Sequence, residues 1–118
     1  MCHLEIYNRL KPFTDDLFIW AYGSIYKSCE NSNMVPVMIY LPAAANLKMD
    51  ADKEFCISEA VKIGFKVIDL SGVYDGVNPT DIQLSGWDTH PNEKGHQLIS
   101  DLLFEKMKKD KQLFKFMK

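Results

Sequence analysis

Val35-Pro-Val-Met-Ile-Tyr-Leu41 and Phe65-Lys-Val-Ile-Asp-Leu70 are the two stretches that decide the fold. Each is a short, nearly continuous apolar run, too short for a core helix and rich in β-branched residues. Pro42 closes the first and Ser71-Gly72 follows the second. A run of this kind reads as a strand buried on both faces, which favours a parallel sheet. Between them, Asp50 to Ile63 reads as a helix with Phe55, Ala60, Val61 and Ile63 on its buried side, and Gly64 is a natural stop. Strand, helix and strand at this separation make a βαβ unit, and so an α/β fold built on a parallel sheet.

Upstream, Thr14 or Asp15 can cap a helix reaching to about Glu30. Pro12 sits just before it, and Asp15 and Asp16 suit the positive end of its dipole. Leu17, Trp20, Ala21, Ser24, Ile25 and Ser28 recur at helical spacing and form its expected inner face. Before Pro12 the pattern stays open. Leu4 and Ile6 suit a strand, whereas Leu4, Tyr7 and Leu10 suit a helix. Downstream, residues 71–86 are punctuated by Gly72, Gly76, Asn78-Pro79 and Gly86 and read as loop. A last helix starts near Asn92 and carries the stripe Leu98, Ile99, Leu102, Leu103 and Met107.

The chain has 118 residues, 47% of them apolar and 25% charged, an ordinary globular mixture that predicts one domain or a piece of one. The net charge is -2, so no basic surplus exists to neutralise a phosphate backbone, and nucleic-acid binding is not expected. The lysine-rich run from Lys106 to Lys118 reads as the solvated end of a helix. Cys2, Cys29 and Cys56 are three, widely spaced and without a CxxC pair, which argues for reduced thiols rather than a disulfide framework or a zinc knuckle. Residues 2–11 contain no apolar signal core, and no stretch approaches the length of a membrane span. The sequence sets no cellular location.

The chemistry concentrates in Gly86-Trp-Asp-Thr-His-Pro-Asn-Glu-Lys-Gly-His96. An aspartate and a histidine two residues apart lie in a loop beyond the second strand, where open α/β sheets build their sites. His90 can take a proton near neutral pH, and Asp88 can fix its tautomer and stabilise the imidazolium. Pro91 stiffens the backbone, Asn92 can cap the last helix, and Gly95 lets its first turn approach the strands. His96, one turn into that helix, reads as a packing or capping residue. A metal site from Asp88, His90 and His96 would match no common zinc spacing. Asp69, at a strand end, reads as a partner of loop amides, and Asp75 as a turn residue before Gly76. Trp20 and Trp87 are expected in the core or lining a pocket.

His-Pro-Asn-x-x-Gly-His with an aspartate just upstream and an apolar helix after it resembles the last block of the SGNH/GDSL hydrolases. The context from Val35 to Leu103 agrees: an apolar strand ending in Leu41-Pro42, a helix, then Gly-Phe-Lys-Val-Ile-Asp-Leu and a loop holding Tyr74-Asp75. The resemblance implies a three-layer α/β/α fold with a parallel, flavodoxin-like sheet. Residues 1–118 would form a single partial domain, its N-terminal part missing or rearranged. It also implies that His90 is the triad base and Asp88 the triad acid, with no cofactor and no metal. In the commonest pattern the acid stands three residues before the histidine, where this chain has Trp87.

The family's nucleophile lies in a Gly-Asp-Ser segment, and its oxyanion hole draws on a Gly-x-Asn-Asp segment. Neither occurs in these residues; Tyr22-Gly23-Ser24 and Asn8 are the nearest matches, and both lack the surrounding motif. The expectation is therefore the acid–base half of a serine hydrolase acting on esters or acetyl groups. The alternative is a non-catalytic α/β binding module of the same origin. Substrates would be small esters or carbohydrates. A sheet without its first strands would also leave apolar edges that favour self-association.

Overall fold

Val37–Tyr40 (β1) and Lys66–Asp69 (β2) pair in parallel, Val37 opposite Lys66 and Tyr40 opposite Asp69. The structure, a computed structural model, describes residues 3–44 and 52–116. The parallel pairing is as read from the sequence. Its connection contains a helix, Lys53–Ile63 (α2), that stops where Gly64 adopts φ 119°, in the left-handed region, and donates its N–H to the carbonyls of Ala60 and Val61. Gly64 also has to be small, since a Cβ there would lie 2.7 Å from the Tyr26 ring. The expected start of this helix at Asp50 lies outside the described residues.

Side chains alternate across the pair and divide the interior in two. Met38 and Val67 face α2, where they join Ala60, Phe65, Tyr40 and Ile63. Ile68 lies on the other side. With Leu70 it meets Val73, Tyr74, Ile82 and Leu113, and the stripe Leu98, Ile99, Leu102, Leu103 and Met107 packs against that cluster. The stripe belongs to Glu93–Lys109 (α3), a helix with Asn92 at its N-cap, as its sequence predicts. After Asp110 a short helix, Lys111–Phe116 (α4), brings in Leu113. Between β2 and α3 the chain runs in turns, with one 3₁₀ turn at Pro79–Asp81.

The three-layer α/β/α fold is not what forms. The described chain is 61% helical, and its sheet consists of two strands of four residues each. Each apolar run contributes only its central four residues to pairing, and a ribbon this narrow cannot serve as a layer. Among the described residues no upstream segment adds a strand, because residues 3–31 form one helix, His3–Asn31 (α1). Nor is β1 buried on both faces. Val37 and Ile39 stay 38% and 47% exposed, beside a hollow of about 440 Å³ that Met34, Ile68, Met107 and Leu113 also line.

α1 departs from expectation in two further ways. It runs through Pro12 instead of starting after it. A proline inside a helix removes one backbone hydrogen bond and crowds the preceding turn, at a cost of about 3 kcal/mol. Thr14 caps nothing; its hydroxyl donates to the Lys11 carbonyl at 2.6 Å. The packed face is also a different one. Phe18 stacks on Tyr22 at 4.1 Å and meets Phe55 at 5.6 Å, while Tyr22 and Tyr26 meet Phe65. Leu17, Trp20 and Ile25, expected inside, are exposed. Although α1 has 29 residues, no helix among the described residues is long and apolar enough to cross a membrane.

Candidate functional site

The loop that carries Asp88 and His90 is fastened from both ends. Gln83 and Pro91 form an isolated antiparallel bridge. Leu84 donates its N–H to the His90 carbonyl at 3.0 Å, and Asn92 donates to the Ile82 carbonyl at 2.8 Å. Inside this frame Ser85 and Asp88 exchange backbone bonds of 3.2 Å, and the Ser85 hydroxyl accepts the Asp88 N–H at 3.1 Å. The two segments on either side of the turn therefore pair like a short, irregular hairpin, with residues 85–88 closing it.

Asn92 holds the base of that hairpin. Its side-chain oxygen accepts the Gly95 N–H at 3.1 Å, which satisfies one of the unpaired donors that open every helix. Its side-chain amide donates to the carbonyls of Asp81 and Gln83 at 3.0 and 3.1 Å. One residue thus caps α3 and ties the loop to it. Gly95 completes the joint. A Cβ there would lie 2.7 Å from the Pro91 side chain and 2.9 Å from the Ile82 carbonyl oxygen, so only glycine lets the helix come this close. Gln83 adds a tether that no local pattern announces, donating to the Ala44 carbonyl at 3.0 Å across 39 residues of sequence.

Asp88 and His90 come together as expected. The nearer carboxylate oxygen of Asp88 lies 2.6 Å from His90 Nδ1 and also accepts the His90 N–H at 3.1 Å. Because a carboxylate can only accept, Nδ1 carries the proton in the neutral ring and Nε2 is left as the basic nitrogen. The His90 side-chain bond and then its backbone bond hold the Asp88 carboxyl below the usual aspartate range. The pair lies on the surface: the His90 side chain is 83% exposed and that of Asp88 26%. Trp87, expected in the core or lining a pocket, is 88% exposed.

The other residues weighed from the sequence are placed as follows. Ser24 lies within α1 and donates back to the Trp20 carbonyl at 2.8 Å, and Asn8 lies in the same helix, so neither joins the dyad. His96 is exposed; its N–H donates to the Asn92 carbonyl at 2.9 Å in the first turn of α3. Asp69 accepts the Ser71 amide and hydroxyl and pairs with Lys53 at 3.1 Å. Ser71 is committed to that turn. Among the described residues, no group of three His, Cys, Asp or Glu side chains converges in a way that could hold a metal ion. The hollows along α3 are open and shallow, and one of about 610 Å³ is lined by Asn92, Glu93, Lys94 and Gln97. No family model matches the chain, and no curated protein or solved structure is significantly similar to it.

Proposed function

We propose that Asp88 and His90 are the acid–base half of an SGNH/GDSL-type serine hydrolase acting on esters or acetyl groups, with the nucleophile supplied from outside these 118 residues. The observation that carries this reading is the 2.6 Å contact between Asp88 and His90 Nδ1, which leaves Nε2 free toward solvent. A serine hydroxyl brought against Nε2 would pass its proton to the ring as its oxygen attacked the acyl carbon. Asp88 would stabilise the imidazolium so formed. The ring would then return the proton to the departing alcohol, and water would repeat the cycle to free the acyl group. Oxyanion donors would have to arrive with the nucleophile.

The reading rests on the loop and its fastening, not on a layered sheet. The rigid frame from Gln83 to Asn92 matters because an acid–base pair works only if its nitrogen is held in place. A binding module remains the second reading. It is favoured by the exposure of Trp87 and His90, since an exposed aromatic ring and an exposed imidazole in one loop suit recognition as well as catalysis.

Active-site labelling separates the two. A fluorophosphonate probe forms a covalent bond only with an activated serine. It is expected to leave the 118-residue chain unlabelled. The native protein captured from its cells, with any further segment or subunit it carries, should be labelled, and His90→Ala should abolish that label. A native assembly that is never labelled, and that hydrolyses p-nitrophenyl acetate no faster than its His90→Ala form, would overturn the hydrolase reading and leave the binding module.

A further inference from the structure

Ile6, Leu10, Phe13, Leu17 and Trp20 follow one another at intervals of four, three, four and three along α1. That is the spacing of a helix-pairing seam. Every one of them is exposed, from 43% at Ile6 to 69% at Phe13. At 100° per residue the stripe lies nearly opposite Phe18, Tyr22 and Tyr26, the residues by which α1 rests on the rest of the chain. The helix thus has two apolar faces, one of them covered.

The dimensions agree that a large surface is uncovered. The radius of gyration is 16.7 Å, whereas a compact domain of this length has about 13.5 Å. The accessible surface is 8801 Å², against about 6,600 Å² for a folded monomer of this mass. The excess is larger than the roughly 800 Å² that each partner gives to a standard interface.

The charges beside the stripe select what covers it. Arg9 and Asp16 flank the seam on the same side, seven residues apart. In an antiparallel pair of helices, such positions face each other across the seam. The register that sets Ile6 against Leu17 and Leu10 against Phe13 of a second copy also sets Arg9 against Asp16 of that copy. Two-fold symmetry repeats every one of these contacts. On the other flank the same register brings Tyr7 opposite Thr14, so no like charges meet. A parallel pair would place Arg9 by Thr14 and Asp16 by Ala21, and the charges would find no partner.

We infer that α1 is the contact surface of an antiparallel homodimer, in which the exposed stripes of two copies pack together and Arg9 of each meets Asp16 of the other. The inference is independent of the hydrolase reading. It also differs from association through the sheet edge, because the residues involved are on α1 alone. A seam of two heptads is short, so the dimer dissociates on dilution.

Light scattering and sedimentation over a dilution series test this. The wild-type chain should approach twice its 13.6 kDa mass when concentrated. Leu10→Glu with Leu17→Glu should remain monomeric at every concentration with an unchanged far-ultraviolet circular dichroism spectrum per residue, since both side chains are exposed. Arg9→Asp or Asp16→Arg alone should weaken the dimer roughly tenfold, because each turns two attractive pairs repulsive. The two combined should restore it to near the wild-type value. A wild-type chain that stays monomeric overturns the inference, as does a dimer indifferent to the stripe substitutions. A charge swap that fails to restore binding overturns the antiparallel register.

Discussion

The segment from Leu70 to Met107 has 13 apolar residues in 38 and the helix α1 has 14 in 29, yet the segment poorer in apolar residues is the better covered. In the first, Leu70, Tyr74 and Ile82 are closed off from solvent, and the loop between them and α3 is secured by backbone bonds at Leu84, Ser85, Asp88 and His90 and by the Asn92 side chain. In the second, residues 4–13 are all exposed, Lys11 pairs with Asp52 at the surface, and the outer stripe faces water. An apolar residue stabilises only where something covers it. The same side chain should therefore have a different value in each region.

Leucine gives the largest contrast. Leu70 is fully buried and Leu17 is 61% exposed. Replacing Leu70 by alanine removes buried methyl groups and leaves a cavity, for an expected loss of about 3 kcal/mol. Leu17→Ala, measured at a concentration where the chain is monomeric, should change stability by less than about 0.5 kcal/mol. Urea denaturation of both variants checks this. Equal losses would mean that α1 is as tightly packed as the C-terminal segment and would break the distinction.

The same distinction explains what could be read from the sequence. Gly64 and Asn92 were legible because their work is done within a few residues: a left-handed stop and a cap three positions on. The pairing of Asp88 with His90 was legible for the same reason, spanning two residues. Gly95, expected to bring its helix against the strands, instead brings it against Pro91 and Ile82 of the loop. The parallel match of β1 and β2 followed from two apolar runs and the helix between them. The inner face of α1 did not follow, because Phe18-Tyr22-Tyr26 and Leu17-Trp20 are both apolar at helical spacing, and only the position of Phe55 and Phe65 decides between them. Pro12 suggested a boundary that the helix ignores. The burial of β1 and the tether from Gln83 to Ala44 depend on residues far away in sequence, for which no local signal exists. The size of the sheet is hidden on the same account, since a strand's neighbours are not written in the strand.

Two glycines sharpen the comparison at the next scale. Both lie inside helices, where alanine is the better helix former by about 1 kcal/mol. Gly23 in α1 has nothing within 4 Å of where a Cβ would stand. Gly95 in α3 has the Ile82 carbonyl oxygen at 2.9 Å, a backbone atom that cannot swing aside. Gly23→Ala should raise stability by about 0.5 to 1 kcal/mol, and Gly95→Ala should lower it by about 2 kcal/mol despite its better propensity. Thermal melts of the two variants should shift in opposite directions. A shift of the same sign in both would mean that the loop carrying His90 yields readily, and that the dyad is less rigidly held than its bonds suggest.

The smallest expected effect concerns acid. Among the described residues, Asp69, Asp88 and Asp110 are carboxylates held below their usual range. For Asp69, partial desolvation works against the charge, but the Ser71 hydroxyl and amide and the Lys53 ammonium together outweigh it. A carboxyl depressed in the folded state contributes stability above its unfolded value, about 3.9, and loses it as the pH falls further, because the unfolded chain takes up the proton first. Asp69→Asn removes that linkage. The variant should be less stable than the wild type near neutrality, where Lys53 loses its counter-ion. The gap should close below about pH 4 as the wild-type carboxyl is protonated. Urea midpoints measured across the acid range resolve the two curves. A gap that stays constant down the whole range would mean that Asp69 holds the β2 end by shape and hydrogen bonding rather than by charge, and that the ion pair to α2 contributes little to the joint between strand and helix.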